Sequence, residues 1–166
     1  MREQLTESDV KKIEAEIEHR KLVVRKEAIE AVKEARAHGD LSENFEYYAA
    51  KREKNQNESR IRYLERMLRT ARVVSDCSGS DEVGLNNLVD LYFEEDDEIQ
   101  QVKLVTSIRG NSLDGRISIE SPLGKAILGR KLGERVHVQV NESYGYEVEI
   151  RAIDKSGDDG DAIRGF

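Results

Sequence analysis

The sequence predicts an α+β protein in which an N-terminal antiparallel α-helical coiled-coil hairpin precedes a small antiparallel sheet domain with one short helix. Three observations support this prediction. Residues 1–74 repeat apolar side chains at alternating spacings of three and four, which is typical of a coiled coil. The second half changes to short β-rich runs, as in a small sheet. The stretch DCSGSDEVG, residues 76–84, is small and polar and has the composition of a linker.

The predicted domains are therefore a hairpin over residues 1–75, a linker over 76–84, a sheet domain over 85–154 and a tail over 155–166. The first helix extends from about Ser8 to His38, without Pro or Gly, and the second follows Gly39. The predicted seam, the row of side chains that faces the partner helix, consists of Val10, Ile13, Ile17, Val24, Ala31, Tyr47, Ala50, Ile61, Leu64, Leu68 and Ala71.

Polar residues also occupy predicted seam positions. Lys54 and Asn57 fill two of them in the second helix, and Glu27 fills one in the first. Glu27 lies as many residues before the turn as Lys54 lies after it. This symmetry predicts an ion pair that fixes the helix register, although two solvated side chains fit the pattern equally well.

Five runs are predicted as strands of the sheet domain: 88–93, 102–108, 116–119, 135–140 and 146–153. Between the third and fourth runs, SPLGKAILGRKLG predicts a short helix with Ser121 as N-cap, Pro122 at the first helical position and Gly129 near its end. The tail is acidic and contains glycine, so we expect it to be disordered.

Charge and composition narrow the functional class. Residues 1–74 carry 17 Lys and Arg against 15 Asp and Glu, whereas residues 75–166 carry 10 against 19. Binding of free nucleic acid favours a basic surface, so the acidic second half argues against it. The chain has one cysteine and no apolar run long enough for a signal or a membrane helix. We therefore expect a cytoplasmic protein.

The stretch ARAHGDLSENFEYYAAKREK, residues 35–54, places Asp40 and Glu43 at the bend of the hairpin. Both acids have an ordinary explanation, because Asp40 is a good N-cap and Glu43 lies three places later, as in a capping box. Alternatively, two carboxylates at the end of a long arm form half of a Mg²⁺ site, which a partner's metal and phosphate oxygens complete. The residues alone leave both interpretations open.

The same stretch, its flanking helices and the later ISIESPLGKAILGRKLGERVHV resemble the bacterial Gre transcript-cleavage factors, in particular the GreA branch, over residues 5–153. The resemblance implies a coiled coil that enters the secondary channel of RNA polymerase and an FKBP-like domain that docks at the channel rim. Asp40 and Glu43 match the acidic tip residues of the family, which hold a second Mg²⁺ jointly with the polymerase.

The implied function is that of a transcription elongation factor, monomeric when free. It stimulates cleavage of backtracked RNA by the polymerase near the RNA 3′ end, rescues arrested complexes and is not a nuclease by itself. Two alternatives remain: a channel-binding regulator that inhibits polymerase without cleavage, and a coiled-coil adaptor whose tip acids are only caps.

The resemblance also assigns contacts with polymerase or RNA to Asn44, Tyr47, Lys51 and Arg52, and docking of the C-terminal domain to Ser121 and Pro122. Each assignment has a structural alternative. Tyr47 also belongs to the predicted seam, a basic pair such as Lys51 and Arg52 is often solvated, and the start of a helix already explains Ser121 and Pro122.

Overall fold

The computed structural model describes residues 2–39 and 44–165. Two compact units are formed: a helical unit over residues 10–71 and a sheet unit that combines residues 3–9 with residues 72–165. No helix in these described ranges has the length and apolarity that crossing a membrane requires.

The helical unit contains two antiparallel arms. In the first arm, α1 (Glu7–His19) is followed by a π-helical turn (Arg20–Val24) and α2 (Arg25–Ala37). The second arm is α3 (Phe45–Thr70), whose 26 residues extend about 39 Å. The predicted seam is confirmed for its most buried members, which are Ile13, Ile17, Ala50, Ile61 and Leu64.

The seam prediction is wrong at Glu27, in the second half of the first arm, whereas the predicted members Val24 and Ala31 are half-buried. Glu27 is exposed, and its neighbour Ala28 is half-buried in its place. The π-helical turn explains the difference, because it holds one residue more than an α-helical turn and so rotates the residues that follow it about the helix axis. Among the described side chains, Glu27 and Lys54 form no ion pair, so the predicted register contact is wrong.

Other contacts fix the register of the two arms. The Asn57 side chain lies against the π-helical turn, where its Nδ2 donates to the Arg20 carbonyl at 3.2 Å and its Oδ1 accepts from Arg20 Nη1 at 3.0 Å. Asn57 is buried, so these bonds also satisfy its amide. Ion pairs away from the bend also join the described parts of the arms, with N–O distances of 2.8, 2.5 and 3.0 Å: Glu16–Arg60, Lys21–Glu65 and Arg25–Glu58.

The sheet unit begins with a short parallel pair, β1 (Gln4–Leu5) and β2 (Arg72–Val73). The main sheet has the order β5-β4-β3-β7-β6. Its strands are β3 (Leu88–Phe93), β4 (Glu98–Val105), β5 (Arg116–Ser118), β6 (Arg135–Gln139) and β7 (Gly145–Asp154).

The predicted antiparallel sheet is correct except at its β5 edge. There β5 pairs with β4 in parallel, with Lys103 opposite Arg116 and Val105 opposite Ser118. Two 3₁₀ turns, Ser107–Arg109 and Ser112–Asp114, lie between the two strands and return the chain to Lys103, so that β5 pairs with the last three residues of β4. A short loop thus provides a parallel connection that usually needs a longer crossover.

The predicted short helix is confirmed as α4 (Pro122–Ile127). Its Ile127 is fully buried in an apolar core that otherwise consists of Val83, Leu85, Val89, Leu91, Val102, Leu104, Ile119, Val136, Val138, Val148 and Ile150. The architecture is α+β, as the sequence predicts. The FKBP-like character of this unit stays a prediction.

The segments predicted as linker and disordered tail carry contacts within the sheet unit. Val83, in the predicted linker, is fully buried, and Asn87 Nδ2 donates to Asp76 Oδ2 at 3.4 Å. In the tail, Asp161 pairs with Lys103 at 2.7 Å, although residues 155–165 form no helix or strand. Composition alone predicts neither set of contacts, because both join residues distant in sequence.

Candidate functional site at the hairpin end

The hairpin end consists of residues 35–39 and 44–52, on either side of the bend. Asp40 and Glu43, the predicted carboxylate ligands of Mg²⁺, lie outside the described residues. On either side of them, α2 ends at Ala37 and α3 begins at Phe45. The described part of the hairpin end shows which contacts join the two helix ends.

Asn44 connects the two helices at the bend. Its Oδ1 accepts the backbone N–H of Tyr47 at 3.0 Å, which makes it the N-cap of α3. Its Nδ2 donates to the carbonyl of Ala35 at 2.6 Å, in the last turn of α2, and the same carbonyl also accepts the backbone N–H of His38 at 3.2 Å. The N-cap of α3 is therefore Asn44, and the prediction that Asp40 starts this helix is wrong.

A second link across the bend joins His38 to Glu46. The His38 Nδ1 lies 2.9 Å from Glu46 Oε2, and both side chains are exposed. The hydrogen bond with Glu46, followed by the attraction of its charge, raises the pKa of His38. Sequence analysis missed this pair, although its two members lie on either side of the bend, where antiparallel helices bring side chains together.

Tyr47 is half-buried and lies among basic side chains. The Arg36 guanidinium is 5.6 Å from the centre of its ring and the Lys51 ammonium is 6.0 Å away, within the range of cation–π attraction. A hydrogen bond from Arg36, followed by the charge of Lys51, lowers the pKa of the Tyr47 hydroxyl. These contacts are compatible with the packing alternative for Tyr47, and its predicted contact with polymerase stays a prediction.

The outer side of α3 near the bend is open. Phe45 and Tyr48 are 85% and 49% exposed, and Lys51 and Arg52 are exposed beside them. A shallow groove along this side is lined by Tyr48, Lys51, Arg52, Asn55, Gln56 and Ser59. Aromatic faces beside cations suit an unpaired nucleic-acid strand, so Lys51 and Arg52 remain available for the predicted RNA contact.

No group of three or more His, Cys, Asp or Glu side chains in residues 2–39 and 44–165 is arranged to hold a metal ion. In the sheet unit, Ser121 Oγ accepts from Gly124 N at 3.0 Å and donates to the Ser118 carbonyl at 2.7 Å. Pro122 follows at the first helical position and is exposed. Both residues therefore start α4 as predicted, and their docking role stays a prediction.

The chain combines a two-helix hairpin with a small sheet unit that follows it in the sequence. This is the two-part architecture of transcription elongation factors that carry Gre domains. A model described as "Transcription elongation factor, N-terminal" matches residues 3–73, and one described as "Transcription elongation factor, GreA/GreB, C-term" matches residues 78–155. The chain belongs to the GreA/GreB family of transcription elongation factors, which confirms the resemblance seen in the sequence.

Relatives in this family are similar over most of their length. The transcription elongation factor GreA of Bacillus velezensis is 43% identical over 135 residues, which cover 81% of this chain and 86% of that protein. GreA of Macrococcus caseolyticus is 38% identical over 152 residues, covering 92% and 95%. Among solved structures, GreA factor homolog 1 of Thermus thermophilus is 28% identical, with coverage of 92% and 99% and a TM-score of 0.42.

Proposed function

We propose that the chain binds bacterial RNA polymerase, inserts its hairpin end into the secondary channel and stimulates the polymerase's Mg²⁺-dependent cleavage of backtracked RNA. Cleavage creates a new RNA 3′ end in the active site and rescues the arrested complex. The chain acts in the cytoplasm and does not cut RNA without polymerase. Its membership of the GreA/GreB family supports the proposal.

The capping of α3 is the observation that carries the proposal. Asn44 supplies the N-cap and at the same time binds the end of α2 through the Ala35 carbonyl. The start of α3 therefore needs no side-chain oxygen from Asp40 and no capping box from Glu43. This weakens the interpretation of the two acids as caps of α3 and favours a chemical role for them.

The chemistry of the two acids suits Mg²⁺. Asp40 and Glu43 offer only carboxylate oxygens, the hard ligands that Mg²⁺ prefers, and two such ligands leave open positions for water and phosphate. When bound, a second Mg²⁺ activates the attacking water and stabilises the leaving oxygen in phosphoryl chemistry. In the proposed complex the polymerase supplies the remaining ligands, so the isolated chain does not hold the ion tightly.

The other residues of the hairpin end divide into two groups. Asn44 and Tyr47 are bound within the hairpin, so we infer that they mainly position the bend and touch polymerase only secondarily. Lys51 and Arg52 are exposed and are free to meet the displaced RNA. We assign docking at the channel rim to the sheet unit, including the α4 start at Ser121 and Pro122.

The test uses purified backtracked elongation complexes with labelled RNA, Mg²⁺ and the full-length chain. We expect Asp40→Asn and Glu43→Gln each to reduce RNA cleavage by at least ~100-fold, about 2.7 kcal/mol of transition-state stabilisation, with polymerase affinity and thermal stability unchanged. Replacing Mg²⁺ by Mn²⁺ should restore part of the activity. Glu30→Gln is the matched control, because Glu30 is an exposed acid of α2 away from the bend.

Three results would contradict the proposal. If both variants stimulate cleavage at the wild-type rate, the acids have no metal role. If the wild-type chain binds polymerase and slows elongation without stimulating cleavage, it is an inhibitor of the channel. Loss of polymerase binding in parallel with loss of cleavage would show that the acids position the hairpin instead.

A further inference from the structure

The tail of the sheet unit occupies a basic site. The matched family model ends at residue 155, and residues 156–165 continue beyond it. Within this segment, Asp161 Oδ2 lies 2.7 Å from Lys103 Nζ and 3.3 Å from Arg109 Nη1. Lys103 Nζ also donates to the carbonyl oxygen of Asp158 at 2.5 Å. The segment thus fills a two-cation site with a carboxylate and a backbone carbonyl.

The site itself is built into the fold. Lys103 belongs to β4, and Arg109 ends the 3₁₀ turn that follows β4. Their side chains are 12% and 0% exposed, so neither is an ordinary surface cation. Burial alone would raise the pKa of Asp161, but the hydrogen bond from Lys103 and the charges of Lys103 and Arg109 outweigh burial and lower it. The site therefore favours an ionised carboxylate.

The tail is held by polar contacts as well as charge. Besides the contacts of Asp158 and Asp161, the backbone N–H of Arg164 donates to the Ile108 carbonyl at 2.7 Å, and Ser8 Oγ donates to the Asp159 carbonyl at 3.4 Å. No described residue after 155 belongs to the apolar core, and none lies in a helix or strand. A segment with few buried apolar contacts opens at a low free-energy cost, and an ion pair near the surface weakens with added salt.

Arg109 keeps a counter-charge within the fold when the tail leaves. Arg109 Nε lies 2.8 Å from Asp9 Oδ1, and Arg109 Nη2 donates to Asn86 Oδ1 at 2.6 Å. The other Asp9 oxygen accepts from Thr106 Oγ1 at 2.7 Å. Arg109 therefore keeps a counter-charge, while the partly exposed Lys103 can be hydrated. Departure of the tail leaves no isolated buried charge, which would be costly.

We propose that residues 156–165 are a displaceable internal ligand of the Lys103–Arg109 site, and that an acidic segment of a partner protein binds the same site in their place. The chemistry of the internal ligand identifies the partner, because the site holds a carboxylate and a peptide carbonyl together. A tethered ligand acts at an effective concentration of about 1 mM, so it masks the site from weak ligands. This inference does not rest on the proposed cleavage function.

The test measures binding of a fluorescent peptide, SGDDGDAIRG, which reproduces residues 156–165, to full-length chains by anisotropy. We expect Asp161→Asn to release the internal ligand and to bind the peptide ~10-fold more tightly than the wild type. Adding Lys103→Gln to that variant should abolish binding, and raising the salt to about 0.5 M should weaken it. A peptide with Asn in place of its last Asp should bind far more weakly.

Glu142→Gln is the matched control, because it removes an exposed acid from the turn between β6 and β7 and should leave peptide affinity at the wild-type value. Thermal unfolding of every variant confirms that the sheet unit is folded. Equal affinity of the wild type and Asp161→Asn would overturn the proposal. So would binding that persists without Lys103, or a single-stranded RNA of ten nucleotides that binds Asp161→Asn more tightly than the peptide does.

Discussion

The helical unit and the sheet unit are stabilised in different ways. Twelve apolar residues form the buried cluster of the sheet unit, and all are valine, isoleucine or leucine. The described part of the helical unit buries seven apolar residues, two of them alanine: Ile13, Ile17, Ala35, Ala50, Ile61, Leu64 and Met67. It also buries Asn57 and Arg60, which bind Arg20 and Glu16 across the hairpin.

The difference follows from shape. In a two-helix hairpin each seam residue is covered only by the partner helix, so little apolar surface can be buried. Polar contacts then set the register and contribute a larger share of the stability. A sheet covered by a helix buries side chains from several elements and depends mainly on apolar burial. Substitutions should therefore differ in size and in pH response between the two units.

The largest effect is expected in the sheet core. Leu91 is fully buried in β3, so Leu91→Ala should destabilise the sheet unit by about 3 kcal/mol through lost burial and a cavity. Urea unfolding followed by hydrogen exchange of peptides from each unit measures the change. Leu113→Ala is the control, because Leu113 is 96% exposed and should change stability by less than about 0.5 kcal/mol. Equal losses for the two variants would refute the dependence on burial.

An intermediate effect is expected at the buried polar contact of the hairpin. The side chain of Arg60 is 2% exposed and that of Glu16 is 22% exposed, so Glu16→Gln removes the charge that faces a buried guanidinium and should cost about 2 kcal/mol. Hydrogen exchange in α1 and α3 should become faster, with little change in the sheet. Glu14→Gln, at an exposed position of α1, is the control.

The same pair gives the hairpin a pH dependence. Burial alone would raise the pKa of Glu16, but hydrogen bonds and charges from Arg60 and Arg20 lower it below its ordinary value of 4.5. A lowered pKa in the folded state contributes stability above the ordinary value, and that stability is lost as the pH falls further. Hairpin stability should therefore decrease between about pH 5 and pH 3, and less steeply in Glu16→Gln. Parallel curves would contradict this assignment.

The smallest effect is expected at the bend. Asn44→Ala removes the N-cap of α3 and the bond to the Ala35 carbonyl and should cost about 1 kcal/mol. Asn44→Asp keeps the cap but cannot donate to Ala35, so it should lie between alanine and the wild type. Hydrogen exchange at the start of α3 provides the measurement. If aspartate is as stable as asparagine, the link to α2 contributes nothing.

Elements with local signals could be predicted from the sequence. Ser121 and Pro122 start α4 as expected, because a hydroxyl cap and an early proline act on the adjacent backbone. The strand at Leu88–Phe93 has the predicted bounds, since its apolar run contains no breaking residue. The family, and with it the elongation-factor class, also followed from local motifs.

The remaining features depend on contacts between distant residues. Asp40 and Asn44 are equally good N-caps by type, and the Ala35 carbonyl, which lies close only in the folded hairpin, favours Asn44. Asp161 accepts a hydrogen bond from Lys103, which lies 58 residues earlier in the sequence. The roles of Asp40 and Glu43 lie outside the described residues and stay predictions until cleavage is measured.

The π-helical turn at Arg20–Val24 gives the first arm one residue more than a continuous α-helix of the same length would contain. Asn57 binds the Arg20 carbonyl within this turn, so the partner helix supplies a polar side chain where the α-helical bonding pattern is interrupted. Deletion of one residue within the turn should restore a continuous α-helix and bring Glu27 toward the seam in place of Ala28. The length of the first arm is therefore matched to the partner helix one residue at a time.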